Sequence, residues 1–157
     1  EGVNTYSVIA KNAMGEGKES NSVEVYVGLD TPIAPTNIQS SQTDSTITLT
    51  WDAATIGSHG GYVKTADVRY NVYEIEETNM GANLTLIKKV AETSISIPYK
   101  TNVGRQDMIN YALSSENSMG EGPRVMSPNI LVGEPYVLPF EEHFKNGRLD
   151  NEMWWIS

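Results

Sequence analysis

Cysteine is missing from all 157 residues, which excludes disulfides, thiolate metal sites and thiol nucleophiles together and leaves the compartment open. Basic residues are few: 11 Lys and Arg stand against 20 Asp and Glu, a formal charge of −9. They are scattered, with only Lys88 and Lys89 adjacent, and counterion release on a phosphate backbone needs them clustered. A nucleic-acid partner is therefore excluded. Long apolar runs are lacking too, each being broken every few positions by Thr, Asn or Glu. A span needs roughly 18 consecutive apolar residues, so no membrane insertion by this segment is expected. The chain opens on Glu1 with neither a charged leader nor an apolar h-region, and its true N-terminus is expected elsewhere.

What the sequence does contain is a repeat. The run Tyr6-Ser7-Val8-Ile9-Ala10-Lys11-Asn12-Ala13-Met14-Gly15-Glu16-Gly17 returns 105 positions later as Tyr111-Ala112-Leu113-Ser114-Ser115-Glu116-Asn117-Ser118-Met119-Gly120-Glu121-Gly122. Ser22, Val27 and Gly28 recur as Ser127, Val132 and Gly133 at the same offset. The period is one small domain long, so the chain carries tandem copies rather than short solenoid units.

Between the repeats, apolar and polar residues alternate at period two, the mark of strands with one buried face. Ile47, Leu49 and Trp51 alternate with Thr46, Thr48 and Thr50. Val68, Tyr70 and Val72 repeat the device, as do Ile95 with Ile97 and Ile109 with Tyr111 and Leu113. Seven strands are expected, near 36–42, 46–52, 67–76, 84–91, 93–98, 108–117 and 124–132, and helical periodicity is missing. Many short strands between turn residues indicate an all-β sandwich or barrel. Gly28 to Pro35 reads as a short, fairly stiff linker because Pro32 and Pro35 fix their own φ and bias their predecessors. A second joint falls near Gly133-Glu134-Pro135-Tyr136.

These residues resemble the fibronectin type III family, a seven-stranded immunoglobulin-like β-sandwich. Trp51, ending its strand, looks like the family's buried strand-B tryptophan. Tyr111, Leu113, Asn117, Gly120 and Gly122 resemble its strand-F pattern, which Tyr6, Val8, Ala10, Asn12, Gly15 and Gly17 repeat. The resemblance implies that 1–28 are the C-terminal strands of a preceding domain and 29–136 a complete one. It implies a structural core of Trp51, Tyr70, Val72, Tyr111 and Leu113, with the Tyr111 phenol bonded to backbone upstream as a tyrosine corner. The chain departs from the family in a long connection after Trp51, Gly57-Ser58-His59-Gly60-Gly61-Tyr62-Val63, and in lacking the usual Leu-x-Pro approach to Tyr111. A Gly-Gly-Tyr insertion ahead of Tyr70-Asn71-Val72-Tyr73 is similar to multidomain surface proteins of Gram-negative bacteria. Residues 137–157, from Leu138-Pro139-Phe140-Glu141-Glu142-His143-Phe144 to Trp154-Trp155, resemble the opening of a jelly-roll, MAM-like module of adhesins and secreted peptidases.

No catalytic set is expected. The two histidines, His59 and His143, fall in a glycine-rich loop and in a different domain, whereas nucleophilic catalysis needs a hydroxyl, a histidine and an orienting acid together. Gly57-x-x-Gly60-Gly61 lacks the Lys-Ser/Thr ending of a phosphate loop. Glu74 and Glu76-Glu77 read as solvated edge charge, and no Asp-x-Asp-x-Asp-Gly loop offers a calcium site. No cofactor and no metal are expected. The one recognition surface proposed by the pattern is the insertion bearing His59, Tyr62 and Val63, an aromatic on a long loop over a rigid scaffold.

The expected function is thus a non-catalytic spacer or adhesion module of a large secreted or cell-surface bacterial protein, positioning its neighbours. The alternatives are an accessory region of a secreted hydrolase, peptidase or glycan-degrading, and a protein- or glycan-binding module using the 57–63 loop. Expected partners are neighbouring domains of the same polypeptide and a host or cell-surface protein or glycan. Chain–chain packing through the incomplete ends is a further expectation, because an isolated hairpin is marginal in water. The expected location is extracellular or the cell surface.

Overall fold

The computed structural model describes residues 2–43, 45–100 and 106–133. The jelly-roll expectation for 137–157 and the joint beyond Gly133 lie outside the described residues, as do His143, Glu141 and Glu142.

Alternation decides the strands, and the buried half of each alternating set decides how they stack. Strand β5 (Thr36–Gln42) pairs antiparallel with β6 (Thr46–Asp52), and β6 with β9 (Ser94–Pro98), giving a three-stranded sheet in the order β5-β6-β9. A four-stranded sheet runs β12-β11-β7-β8, from β7 (Arg69–Thr78), β8 (Gly81–Val90), β11 (Tyr111–Asn117) and β12 (Gly120–Met126). Ile47, Leu49 and Trp51 of β6 and Ile95 and Ile97 of β9 meet Tyr70 and Val72 of β7 and Tyr111 and Leu113 of β11 in one buried cluster. Val63, Val68, Val90, Ile130 and Val132 complete it. The Trp51 and Tyr70 rings meet edge to face at 5.4 Å, and the Tyr70 hydroxyl accepts the Ala54 N–H at 3.2 Å. Helical structure among the described residues is limited to the 3-10 turn Thr65–Asp67 leading into β7.

Two expected strands are each divided. The 108–117 run is β10 (Asp107–Ile109) and β11, and the 124–132 run is β12 and β13 (Ile130–Val132). β10 pairs with β13 as a separate two-stranded ribbon. The break has a local cause: Pro128 offers no N–H to a ladder, and Ser127 replaces the missing bonds. Its Oγ accepts the Tyr111 N–H at 3.0 Å and donates to the Pro128 carbonyl at 3.0 Å, while its own N–H reaches the Tyr111 carbonyl at 2.8 Å.

The segment before the linker is built the same way. Strand β1 (Gly2–Tyr6) pairs with β4 (Val23–Val27), and β2 (Ile9–Asn12) with β3 (Gly15–Glu19). Both repeats carry the same register break, between Ile9 and Lys11 and between Ser114 and Glu116. Both close on the same turn: Asn12 Oδ1 accepts the Met14 N–H at 2.8 Å and Asn117 Oδ1 the Met119 N–H at 2.9 Å. Gly15 and Gly120 follow at φ 136° and 130°, a region that L side chains rarely adopt. The 105-residue repeat is a repeat of structure.

Candidate functional site

The loop between β6 and β7 does not project freely. It lies along the linker that leads into β5, and the two segments are joined by two isolated bridges, Leu29–Tyr62 parallel and Pro32–Gly57 antiparallel. The Asp30 N–H donates to the Tyr62 carbonyl at 2.9 Å and the Tyr62 N–H to the Gly28 carbonyl at 2.9 Å. Further along, the Ile33 N–H reaches the Ile56 carbonyl at 3.1 Å and the Ser58 N–H the Thr31 carbonyl at 2.7 Å.

At the centre is the Asp30 carboxylate, 1% exposed. Its Oδ2 accepts the backbone N–H of His59 at 2.8 Å and of Gly61 at 3.1 Å, and its Oδ1 lies 2.9 Å from His59 Nδ1. Burial pushes this carboxyl up, but the His59 side-chain bond and the His59 and Gly61 backbone bonds outweigh it and hold the pKa to about 2. The Asp30 carbonyl is taken by Asn117 Nδ2 at 2.8 Å, tying the linker to the β11–β12 turn as well. On the other side, Tyr26 of β4 stacks on the His59 ring at 5.2 Å with 19° between planes. The glycines are dictated by proximity: a Cβ on Gly57 would stand 2.1 Å from Asp30 Oδ2, and one on Gly61 would stand 2.4 Å from Tyr26 Cδ1.

Of the three loop residues expected to present themselves, the structure separates all three. Tyr62 is exposed and His59 is engaged with Asp30 and Tyr26. Val63 is corrected from a surface position to a core one, because its side chain falls into the apolar cluster. An aspartate holding a histidine is two-thirds of a nucleophilic triad, but the neighbouring hydroxyl is turned away, Ser58 Oγ donating to the Pro32 carbonyl at 3.1 Å. What the arrangement can do is hold two segments of chain together.

A second polar cluster covers the outer face of the four-stranded sheet. Glu121 Oε1 accepts from Ser114 Oγ at 2.6 Å, the Tyr73 hydroxyl at 2.7 Å and Arg124 Nε at 3.0 Å. Arg124 Nη2 reaches Oε2 at 3.2 Å, and the guanidinium sits 4.6 Å over the Tyr73 ring. The Arg124 bonds, with Ser114 and Tyr73 beside them and burial opposing, hold the Glu121 pKa to about 2. Beside it, Glu116 accepts from Asn71 Nδ2 and pairs with Lys89 Nζ, both at 2.7 Å. An acceptor filled this way is a sheet fastener and not a proton carrier. Among the described residues no group of three or more His, Cys, Asp or Glu could hold a metal, and no helix is long and apolar enough to cross a membrane. The edge reading of Glu74, Glu76 and Glu77 needs refining. β7 is an inner strand beside β11 as far as Glu74, and only from Ile75 onward does it have β8 alone as a neighbour.

Sequence reasoning missed Asp30, Tyr26, Glu121 and Arg124. The linker prolines had marked 28–35 as a spacer, and a carboxylate that meets a loop 29 residues away leaves no periodic trace.

Two facing sheets with this strand order, with the separate β10–β13 ribbon beside them, define an all-β, fibronectin type III-like, immunoglobulin-like sandwich. Among solved structures the chain is similar to titin domains A168–A170, at 18% identity and a TM-score of 0.51, over 84% of this chain and 41% of that one. It is also similar to the fibronectin type-III domain of human fibronectin type III domain containing protein 3 (17% identity, TM-score 0.47, 71% of this chain and 94% of that one). A third likeness is to the twitchin kinase region from C. elegans (18% identity, TM-score 0.48, 65% and 17%). The chain thus spans less than half of the titin and twitchin structures it matches. No family model and no curated protein matches it.

Proposed function

We propose that this chain is a non-catalytic spacer or adhesion module of a large secreted or cell-surface bacterial protein, placed outside the cell, whose work is to hold neighbouring domains in position. In this reading 29–136 is one complete fibronectin type III-like domain. Residues 1–28 are the closing strands of a preceding one, and 137–157 open a jelly-roll, MAM-like module. The bacterial assignment rests on the resemblance of the 57–63 insertion and of Tyr70-Asn71-Val72-Tyr73.

The observation that carries the array is a mismatch between two copies of one pattern. Tyr111 and Leu113 are 5% and 0% exposed, while their counterparts Tyr6 and Val8 are 51% and 72% exposed. Ile130 and Val132 are buried, and Val25 and Val27, at the same offset, are open. A strand pair that keeps a core pattern needs a core, since each Val or Leu fully removed from water contributes about 1.5–3 kcal/mol. The occupant that fits is a strand set of the kind formed by 36–98, supplied by upstream polypeptide, because that is what covers the same face in the second copy.

The test is to express the chain with the polypeptide that precedes Glu1 in its parent and follow unfolding by calorimetry. Two cooperative transitions are expected, and Val8→Asp should remove one of them while leaving the other at its original temperature. An extended chain that melts identically with and without Val8→Asp would overturn the reading.

A further inference from the structure

We propose that the 56–62 loop is a domain–domain docking site whose ligand is the end of the preceding repeat, the linker 28–33 together with Tyr26 of β4, so that successive sandwiches are locked in one orientation. This rests on the reading of 1–28 as the end of a preceding domain and adds how that domain is held.

Three observations converge. The linker is held at two places: it makes backbone bonds to the loop at Gly28 and Asp30 with Tyr62 and at Thr31 and Ile33 with Ser58 and Ile56. Prolines alone would restrict φ and leave ψ free, whereas backbone bonds at both ends of the linker restrain it further. The carboxylate of Asp30 is buried with both oxygens engaged, so opening the joint breaks three hydrogen bonds to a charged acceptor at once. The contact also passes beyond the linker. In β4, Val25 and Val27 lie on one face and Tyr26 on the other, and it is Tyr26 that reaches across to His59 and Gly61. A linker tie needs only the linker, but a side chain from the last strand of the preceding unit makes the contact an interface between units. The second joint differs in sequence: the position 105 after Asp30 is Pro135, which has no carboxylate, so this lock is specific to the junction between like domains.

The experiment has a local and a global arm. In the 157-residue chain, amide hydrogen exchange read by NMR at pH 7 should show His59, Gly61 and Tyr62 protected. Asp30→Ala should speed exchange at His59 and Gly61 by about tenfold or more, with Val72 and Leu113 unchanged. In a chain extended upstream through the preceding repeat, residual dipolar couplings should fit a single alignment tensor for both units. Asp30→Ala and, independently, Tyr26→Ala should each split it into two while both units stay folded; Tyr26→Ala leaves the carboxylate in place should Asp30→Ala misfold the loop. Unprotected His59 and Gly61 amides in the parent chain, or exchange indifferent to Asp30→Ala, would overturn the lock. So would two independently tumbling folded units in the unmodified extended chain. An upstream segment that fails to fold while the local arm holds would instead count against the array and leave the loop–linker clasp standing.

Discussion

Asp30 is the residue on which the joint turns, and its titration has a definite sign. Its carboxyl is held to about 2 against an ordinary 3.8, with the His59 ring and the His59 and Gly61 amides as its partners and Tyr26 stacked behind the imidazole. A group whose folded pKa lies below its unfolded one stabilises the fold above the unfolded value and ceases to as pH falls through the folded value. The clasp should therefore be intact above pH 4 and open between about pH 4 and 2, which the 13C shift of the Asp30 carboxyl and the His59 amide exchange rate can follow together. An Asp30 carboxyl titrating near 4 would contradict this. Gly57 tests the same joint without touching charge. A Cβ there meets Asp30 Oδ2 at 2.1 Å, Cβ at 2.4 Å and Cγ at 2.5 Å, so Gly57→Ala should accelerate exchange at His59 and Gly61 at neutral pH while leaving the core amides of β6 alone. Trp51 is the opposite case, a residue whose whole contribution is apolar packing in the central cluster. Trp51→Ala should cost roughly 3–5 kcal/mol in urea unfolding, much of the stability of a domain this size.

Strands were the legible part of this molecule, most clearly β6 and β9, each of which buries one face and writes that burial as alternation. The spans of β6 and β9 follow from the Thr-alternating and Ile-Ser-Ile runs almost to the residue. What alternation cannot express is where a ladder changes partner. The 108–117 and 124–132 runs keep their apolar rhythm straight through Asn110 and Ser127, so the division into β10–β13 and β11–β12 had no signal in hydrophobicity. It is made by Pro128 and by one hydroxyl. Ser127 supplies the Tyr111 N–H with its acceptor in a buried setting, and a buried donor left without one costs about 1–3 kcal/mol. Ser127→Ala should lower the urea midpoint by that amount with an unchanged m-value, and Ser127→Thr, which keeps the hydroxyl, should recover part of the loss. The clasp was illegible for a related reason: it is made by backbone groups of a loop and a linker, and the one side chain that organises it sits outside any periodic run. The loop was visible as an insertion, but the sequence carried no mark of which way it faced.

At the scale of the whole molecule, one pattern occupies two environments, and local sequence cannot say which copy is covered. Tyr6-x-Val8 and Tyr111-x-Leu113 ask for the same thing; only the second has β6, β7 and β9 against it. Burial, and not residue type, should then set the energetic weight of equivalent positions. Leu113 is fully enclosed, and removing its isobutyl group leaves a cavity, so Leu113→Ala should destabilise the 157-residue chain by about 2–5 kcal/mol. Val8 is exposed in the same chain, and Val8→Ala should move its stability by no more than about 0.5 kcal/mol. The comparison is direct in urea unfolding followed by the amide signals of β7 for the central domain and of β4 for the first repeat. Equal losses at the two positions would mean that the first repeat already buries its pattern within this chain, and the open face on which the array reading stands would not exist. A large loss at Leu113 with none at Val8 is the outcome that the proposed array, one complete sandwich beside the last strands of another, requires.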